Sequence, residues 1–138
     1  MSEIEQLIEA IELHTSRTED WNDGNYLADK LLTLASLYSS LGHHIADAER
    51  AADQAEIAFK IQRERAKEKR IKIGKEAIKS AEGTAIIDVQ DEYQHFIKLK
   101  YNARLLFLTR QSLDKTMDSI RSALTQMRHD KEGSRHGI

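Results

Sequence analysis

Apolar side chains recur along most of this chain in alternating steps of four and three residues, the spacing that places them on one face of an α-helix. The longest series keeps the heptad a/d pattern of a coiled coil for more than four heptads. Its members are Leu27, Leu31, Leu34, Tyr38, Leu41, Ile45, Ala48, Ala52, Ala55 and Phe59. The pattern predicts a helix from near residue 25 to near residue 72, about 70 Å long. Because glycine weakens a helix interior, Gly42 leaves two predictions open, one continuous helix or two helices joined there.

A second series with similar spacing occupies the C-terminal part of the chain. It consists of Val89, Tyr93, Phe96, Leu99, Ala103, Leu106, Arg110, Leu113, Met117, Ile120, Leu124 and Met127. Gly74 and Gly83 bracket the weakly patterned stretch between the two series, where we expect the chain to reverse its direction. Two long stripes joined by one reversal predict an all-α fold, a long antiparallel helical hairpin of the coiled-coil type.

The first residues of the chain predict a further, shorter helix. Ser2 and Glu5 have the spacing of a capping box, which indicates that a helix begins here and covers about residues 3–16. Residues 18–24 then break the apolar period with turn-forming side chains. We expect the short helix to pack on one end of the hairpin.

Length and composition narrow the class of protein. The 138 residues fit one helical domain, expected to span residues 1–130, with residues 131–138 as a flexible tail. The absence of cysteine excludes disulfides, thiolate metal sites and cysteine nucleophiles, and the absence of proline favours long uninterrupted helices. No apolar run approaches the ~18 residues of a membrane span, and the acidic start is unlike a signal peptide. We therefore expect a cytoplasmic protein without membrane contact.

Charge is distributed unevenly, although the formal total is only −2. Residues 1–59 carry −9, residues 60–79 carry +6 and residues 80–138 carry +1. The basic segment contains a row of cations on one helical face beside the apolar stripe: Lys60, Arg63, Lys67 and Arg70. Such a row can neutralise phosphates, which predicts nucleic-acid binding. Pairing of Glu64 and Glu68 with nearby lysines would instead make it an ordinary solvated face.

One aromatic residue is placed to stack on a nucleic-acid base. Tyr101 lies outside both apolar stripes and beside Lys98, Lys100 and Arg104. Most other aromatic residues fall on the stripes, where we expect them to pack in the core. Tyr101 is therefore the best stacking candidate.

Catalysis has little support in the sequence. The chain has no phosphate-binding glycine loop, dinucleotide fingerprint, zinc-protease helix motif or nucleophile elbow. Glu49, Asp53 and Glu56 share a helix face in the manner of magnesium-dependent nucleotide hydrolases, but an exposed charged face is the simpler interpretation. We therefore expect a non-catalytic protein that needs no metal and no cofactor.

Several large apolar residues lie outside both stripes, so the hairpin itself would leave them exposed to solvent. They are Leu32, Leu37, Ile57, Ile61, Ile97, Leu105 and Leu108. Because a hairpin buries less surface than a compact domain of the same length, self-association is the simplest way to bury these side chains. We expect a homo-oligomer, in which several copies of the basic row would act together.

The chain also resembles a known family. It has a short first helix, a basic central helix containing Ala58–Arg65, and a long amphipathic last helix containing Tyr93, Phe107 and the segment Asp118–Leu124. In these features it resembles the UvsY-type recombination mediators of tailed phages. The resemblance implies binding of single-stranded DNA, assembly through the last helix, and two protein partners, a RecA-like recombinase and single-strand-binding protein. It also implies the cytoplasm of a phage-infected host cell.

The resemblance gives particular residues a role. It assigns DNA contacts to Lys60, Arg63 and Arg65, and assembly to a set on the last helix: Leu113, Met117, Ile120 and Leu124. Together with the rest of the basic row, the candidate nucleic-acid-binding residues are Lys60, Arg63, Arg65, Lys67 and Arg70. The first hypothesis is an oligomeric, non-catalytic single-stranded-DNA-binding accessory protein of recombination or replication. The alternative is a helical adaptor or phage-encoded inhibitor that binds another protein and does not bind nucleic acid.

Overall fold

The computed structural model describes residues 2–16, 21–74 and 77–136, with side chains described as far as residue 133. This part of the chain folds into four α-helices and contains no β-strand. The helices are α1 (Glu3–Ser16), α2 (Gly24–Lys72), α3 (Ile78–Asp88) and α4 (Gln90–His136). The long helices α2 and α4 pack against each other and α1 packs on them. The predicted all-α hairpin with a short N-terminal helix is therefore confirmed.

A reciprocal pair of hydrogen bonds fixes the start of α1. The backbone N–H of Glu5 donates to Ser2 Oγ at 3.1 Å, and the backbone N–H of Ser2 donates to Glu5 Oε2 at 3.3 Å. These bonds satisfy backbone donors that have no partner inside the helix. The predicted capping box is confirmed.

An aspartate caps the start of α2. Asp23 Oδ1 accepts hydrogen bonds from the backbone N–H groups of Asn25 at 3.0 Å and Tyr26 at 3.2 Å. Asp23 thus ends the predicted turn over residues 18–24. Residues 18–20 of that turn lie outside the described residues.

The helix α2 runs without interruption for 49 residues and passes through Gly42. Of the two predictions left open at that glycine, the continuous helix is confirmed. Along its length the residues of the predicted apolar stripe are buried or half-buried. The buried members are Leu27, Leu34, Leu41, Ile45, Ala52, Ala55 and Phe59. The heptad pattern therefore identified the face that α2 buries.

The chain comprises two compact units, and both long helices contribute to each. Unit 1 consists of Met1–His44 and Leu106–Ile138. Within unit 1, Met127 Sδ lies 3.7 Å from the point that a Cβ on Gly24 would occupy. The buried apolar residues of unit 1 are Ile11 on α1, Leu27, Leu34 and Leu41 on α2, and Leu106, Leu113, Met117 and Ile120 on α4.

Unit 2 consists of Ile45–Leu105 and is organised around one aromatic side chain. The ring centroid of Phe59 on α2 lies 5.2 Å from the ring centroid of Tyr93 and 6.0 Å from that of Phe96, both on α4. These distances lie in the range of favourable aromatic pairs. Most other buried residues of this unit are small, which allows the helix backbones to approach closely: Ala52, Ala55, Ala81, Ala85, Val89 and Ala103.

The reversal between the long helices contains a helix that the sequence pattern did not predict. The helix α3 covers 11 residues and passes through Gly83. Its buried residues are Ala81 and Ala85, both 0% exposed. Two alanines one helical turn apart give almost no periodic signal in a sequence, so the stretch reads as weakly patterned.

The helix α4 continues to His136, so helical backbone extends into the predicted tail of residues 131–138. Residues 137 and 138 lie outside the described residues. Across the described ranges, no helix combines the length and apolar character that crossing a bilayer requires.

Candidate nucleic-acid interface

The row of cations predicted on α2 lies in unit 2, and its C-terminal half faces α3. Arg70, at its C-terminal end, forms a two-point ion pair with Asp88 on α3. Arg70 Nη2 donates to Asp88 Oδ1 at 2.7 Å, and Arg70 Nε donates to Asp88 Oδ2. Hydrogen bonding from the guanidinium lowers the pKa of Asp88 below its usual value of 3.8. This geometry is the planar fork by which arginine binds a carboxylate.

Lys67 also has an acidic partner on α3. Its Nζ donates to Glu82 Oε1 at 3.0 Å. The hydrogen bond to Glu82 raises the pKa of Lys67 above its usual value of 10.5. Two of the four cations in the row therefore connect α2 to α3.

The other two cations of the row contact groups on α2 itself. Lys60 Nζ lies 3.0 Å from Glu56 Oε1, one helical turn away. The guanidinium carbon of Arg63 lies 5.4 Å from the ring centroid of Phe59, within the range of a cation–π contact. Arg65, added to the set through the resemblance, is exposed on α2.

A cleft of about 210 Å³ opens beside the row, between α2 and α3. It is lined by Arg63, Glu64, Lys67 and Glu82. Two cations and two carboxylates balance each other, so the cleft has no excess positive charge with which to attract a phosphate. A phosphate that bound the row would compete with carboxylates already in contact with Lys60, Lys67 and Arg70.

A second basic region lies on α4. From residue 93 to residue 113 the chain contains four Lys or Arg residues and no Asp or Glu. The four are Lys98, Lys100, Arg104 and Arg110. The prediction from the sequence includes three of them beside Tyr101 but not the acid-free run as a whole, which a count of acids per helical turn reveals. The run thus presents four cations on one helix with no carboxylate among them in the sequence.

Two of these four cations contact aromatic rings. Lys100 Nζ lies 5.8 Å from the ring centroid of Phe96 in unit 2. In unit 1 the guanidinium carbon of Arg110 lies 4.6 Å from the ring centroid of Tyr38. Both cations thus cover aromatic side chains at the edge of the core. Lys98 and Arg104 are exposed.

Tyr101 is the most exposed aromatic side chain among the described residues, at 62%. Its neighbours on the helix surface, three or four residues away, are Ile97, Lys98, Arg104 and Leu105. We call these five residues the Tyr101 face. Ile97 is 41% exposed and Leu105 is 42% exposed. The face combines an aromatic ring, two apolar side chains and two cations, a set that can stack on a base while neutralising phosphates.

The residues assigned to assembly through the resemblance lie elsewhere, in unit 1. Leu113 and Ile120 are 0% exposed, Met117 is 4% exposed and Leu124 is half-buried. These side chains pack within a single chain. Their use by a second copy stays a prediction, one that would require α4 to leave its own core.

The carboxylates considered for a magnesium site are on the surface of α2. Glu49 and Asp53 are exposed, and Glu56 forms the ion pair with Lys60. Within the described ranges, no group of three or more His, Cys, Asp or Glu side chains is arranged to hold a metal ion.

No protein-family model, curated protein or solved structure matches this chain.

Proposed function

We propose that this chain is a non-catalytic accessory protein that binds single-stranded DNA through the Tyr101 face of α4. The observation that carries the proposal is the position of Tyr101, 62% exposed in the middle of a helical stretch without acids. Base–aromatic stacking contributes about 1–3 kcal/mol per base and tolerates any sequence. Lys98 and Arg104, one turn to either side of the ring, provide the accompanying phosphate contacts.

The affinity of one copy is limited by the small number of cations. Two phosphate contacts and one stacked base give weak binding, and several copies on one strand multiply it. The proposal therefore includes a homo-oligomer. The role in recombination or replication, with a RecA-like recombinase and single-strand-binding protein as partners in the cytoplasm, is its finer part and derives from the resemblance to UvsY-type mediators.

The candidate residues on α2 have a lesser role in this proposal. Lys67 and Arg70 already bind carboxylates on α3, so contacting a phosphate would cost them those ion pairs. Lys60 would likewise exchange Glu56 for the phosphate. We place the main DNA contacts on α4 and treat Lys60 and Arg63 as secondary contacts.

A second candidate function is the binding of another protein without nucleic acid. The observation that favours it is the exposure of Ile97 and Leu105, each four residues from Tyr101. Three such side chains at steps of four are typical of a helix that packs on another helix. The cations of the same face would then select an acidic amphipathic helix.

Fluorescence anisotropy with a labelled poly-pyrimidine oligonucleotide, measured over a series of salt concentrations, tests the first candidate. The wild type should bind with an affinity that falls steeply with salt. Tyr101→Phe should retain binding because the ring still stacks, whereas Tyr101→Ala should weaken it about fivefold or more. Lys98→Ala should reduce the slope of log affinity against log salt concentration (the salt slope) by about one. Lys115→Ala, on the same helix outside the acid-free run, should leave this slope unchanged.

Other results would contradict the proposal. Absence of binding by the wild type at low salt would reject DNA as the ligand and leave the protein-binding candidate. A fall in salt slope with Lys60→Ala and Arg63→Ala together, but none with Lys98→Ala, would place the DNA on α2 instead.

A further inference from the structure

A second stripe at heptad spacing runs along α2 in unit 2, on the side of the helix away from the buried stripe. Its members, which we call the outer stripe, are Arg50, Gln54, Ile57, Ile61, Glu64 and Glu68. All six are exposed. Ile57 is 59% exposed and Ile61 is 47% exposed. An apolar centre with polar ends at this spacing is typical of a helix that packs against another helix.

The centre of the outer stripe is complementary to itself when two copies run antiparallel. With a two-fold axis at residue 59, Ile57 of one copy lies opposite Ile61 of the second copy. The symmetry repeats this contact, so four isoleucines meet at the axis. Gln54 then lies opposite Glu64, to which its amide can donate a hydrogen bond.

The charged positions of the helix follow the same symmetry. The register that joins the isoleucines also places Arg50 opposite Glu68. This pair joins opposite charges, and the two-fold axis repeats it. Arg50 has an acidic neighbour in its own chain, Asp47, but at 3.9 Å between exposed groups this contact is weak and easily exchanged.

The parallel arrangement of two outer stripes does not fit these charges. It would place Arg50 opposite Arg50, Glu64 opposite Glu64 and Glu68 opposite Glu68, which is repulsive. The charges therefore select the antiparallel orientation for a second copy on the outer stripe of α2.

We propose that two copies of this chain form a two-fold symmetric dimer through their antiparallel outer stripes. An isologous contact of this kind closes on itself, so this surface produces a dimer and not an extended filament. The dimer does not depend on DNA binding, although it would bring two Tyr101 faces into one particle.

Charge reversal tests the proposed register. Sedimentation equilibrium without DNA should give the wild type a mass of twice 15.8 kDa. Arg50→Glu and Glu68→Arg, each alone, should raise the dimer dissociation constant at least about tenfold because like charges then face each other twice. The two together should restore the wild-type value, since the pairs are re-formed with exchanged signs. Lys115→Glu, on α4 outside the outer stripe, serves as the matched control and should not change the dimer.

A disulfide experiment gives an independent measure of the register, because the chain has no cysteine of its own. A mixture of Ile57→Cys and Ile61→Cys chains should cross-link between the two variants faster than either variant cross-links with itself. A wild type of 15.8 kDa at every concentration would overturn the proposal. So would a dimer unaffected by the single reversals, or an Arg50→Glu/Glu68→Arg chain that fails to recover. None of these results depends on whether the chain binds DNA.

Discussion

Arg70 on α2 and Asp88 on α3, which are 18 residues apart in sequence, form a two-point ion pair with Nη2 2.7 Å from Oδ1. Together with the contact between Lys67 and Glu82, it fixes α3 against the C-terminal part of α2. Lys67 and Arg70, which the sequence predicts to bind phosphates, thus hold the short helix α3, whose apolar face is small. The arrangement explains why we place the DNA on α4.

The first prediction concerns the acid titration of Asp88. Its pKa in the folded chain lies below the usual value of 3.8 because Arg70 donates two hydrogen bonds to it. The pair therefore stabilises the fold above about pH 4, and this contribution is lost as the pH falls through the folded pKa. An NMR titration of the side-chain carboxyl should give a midpoint below 3.8. A midpoint at or above this value would contradict the ion pair, and Arg70→Gln should move the midpoint upward.

The second prediction uses two leucines on α2. Leu34 is 0% exposed in the core of unit 1, whereas Leu32 on the same helix is 71% exposed. Leu34→Ala should lower the free energy of unfolding by about 2–5 kcal/mol, since it removes buried methyl groups and leaves a cavity. Leu32→Ala is the matched control and should change it by less than about 0.5 kcal/mol. Chemical denaturation measures both values, and equal losses for the two variants would contradict the assigned faces of α2.

How much of this architecture could be predicted from the sequence depends on the range of the interactions. The buried faces of α2 and α4 could be predicted because burial repeats with the helical period, so Leu34 and Leu113 occur in register with their neighbours. The helix α3 could not be predicted, because its two buried residues, Ala81 and Ala85, produce little apolar periodicity in the sequence. The ion pair between Arg70 and Asp88 could not be predicted either, because it depends on the position of α3 and no repeating pattern in the sequence indicates it.

The candidate site divides in the same way. Tyr101 could be identified from the sequence because it departs from the apolar stripe, and its exposure agrees with that interpretation. The partners of Lys67 could not, because Glu82 is 15 residues away and belongs to the helix that the pattern missed. Charge counted along a chain does not reveal which charges will be paired across a fold.

The third prediction concerns two glycines in different positions. At Gly42, inside α2, a methyl group added to the α-carbon would meet no described atom within 4 Å apart from the backbone of its own helix. Gly42→Ala should therefore stabilise the protein by about 0.5–1 kcal/mol, because alanine has the higher helix propensity. At Gly74 the same methyl group would lie 2.9 Å from the backbone oxygen of Arg70, so Gly74→Ala should be destabilising. Thermal melts of both variants should shift in opposite directions, and a shift in the same direction would count against this account.

The fourth prediction follows from the proposed absence of catalysis. Incubation with a panel of nucleoside triphosphates and magnesium should release neither phosphate nor pyrophosphate above the rate of a buffer control. Glu49 and Asp53 are exposed and lack the enclosed setting in which carboxylates usually hold catalytic magnesium. Release that disappears in an Asp53→Asn variant would instead support a nucleotide hydrolase.

Photo-crosslinking tests the central claim, that the Tyr101 face binds single-stranded DNA, most directly. An oligonucleotide in which bromouracil replaces thymine would be irradiated with the wild-type protein, and the cross-linked peptide identified by mass spectrometry. We predict that the cross-link forms at Tyr101 and that its yield falls as salt is added. A cross-link within residues 60–70 of α2, or none at low salt, would contradict the account.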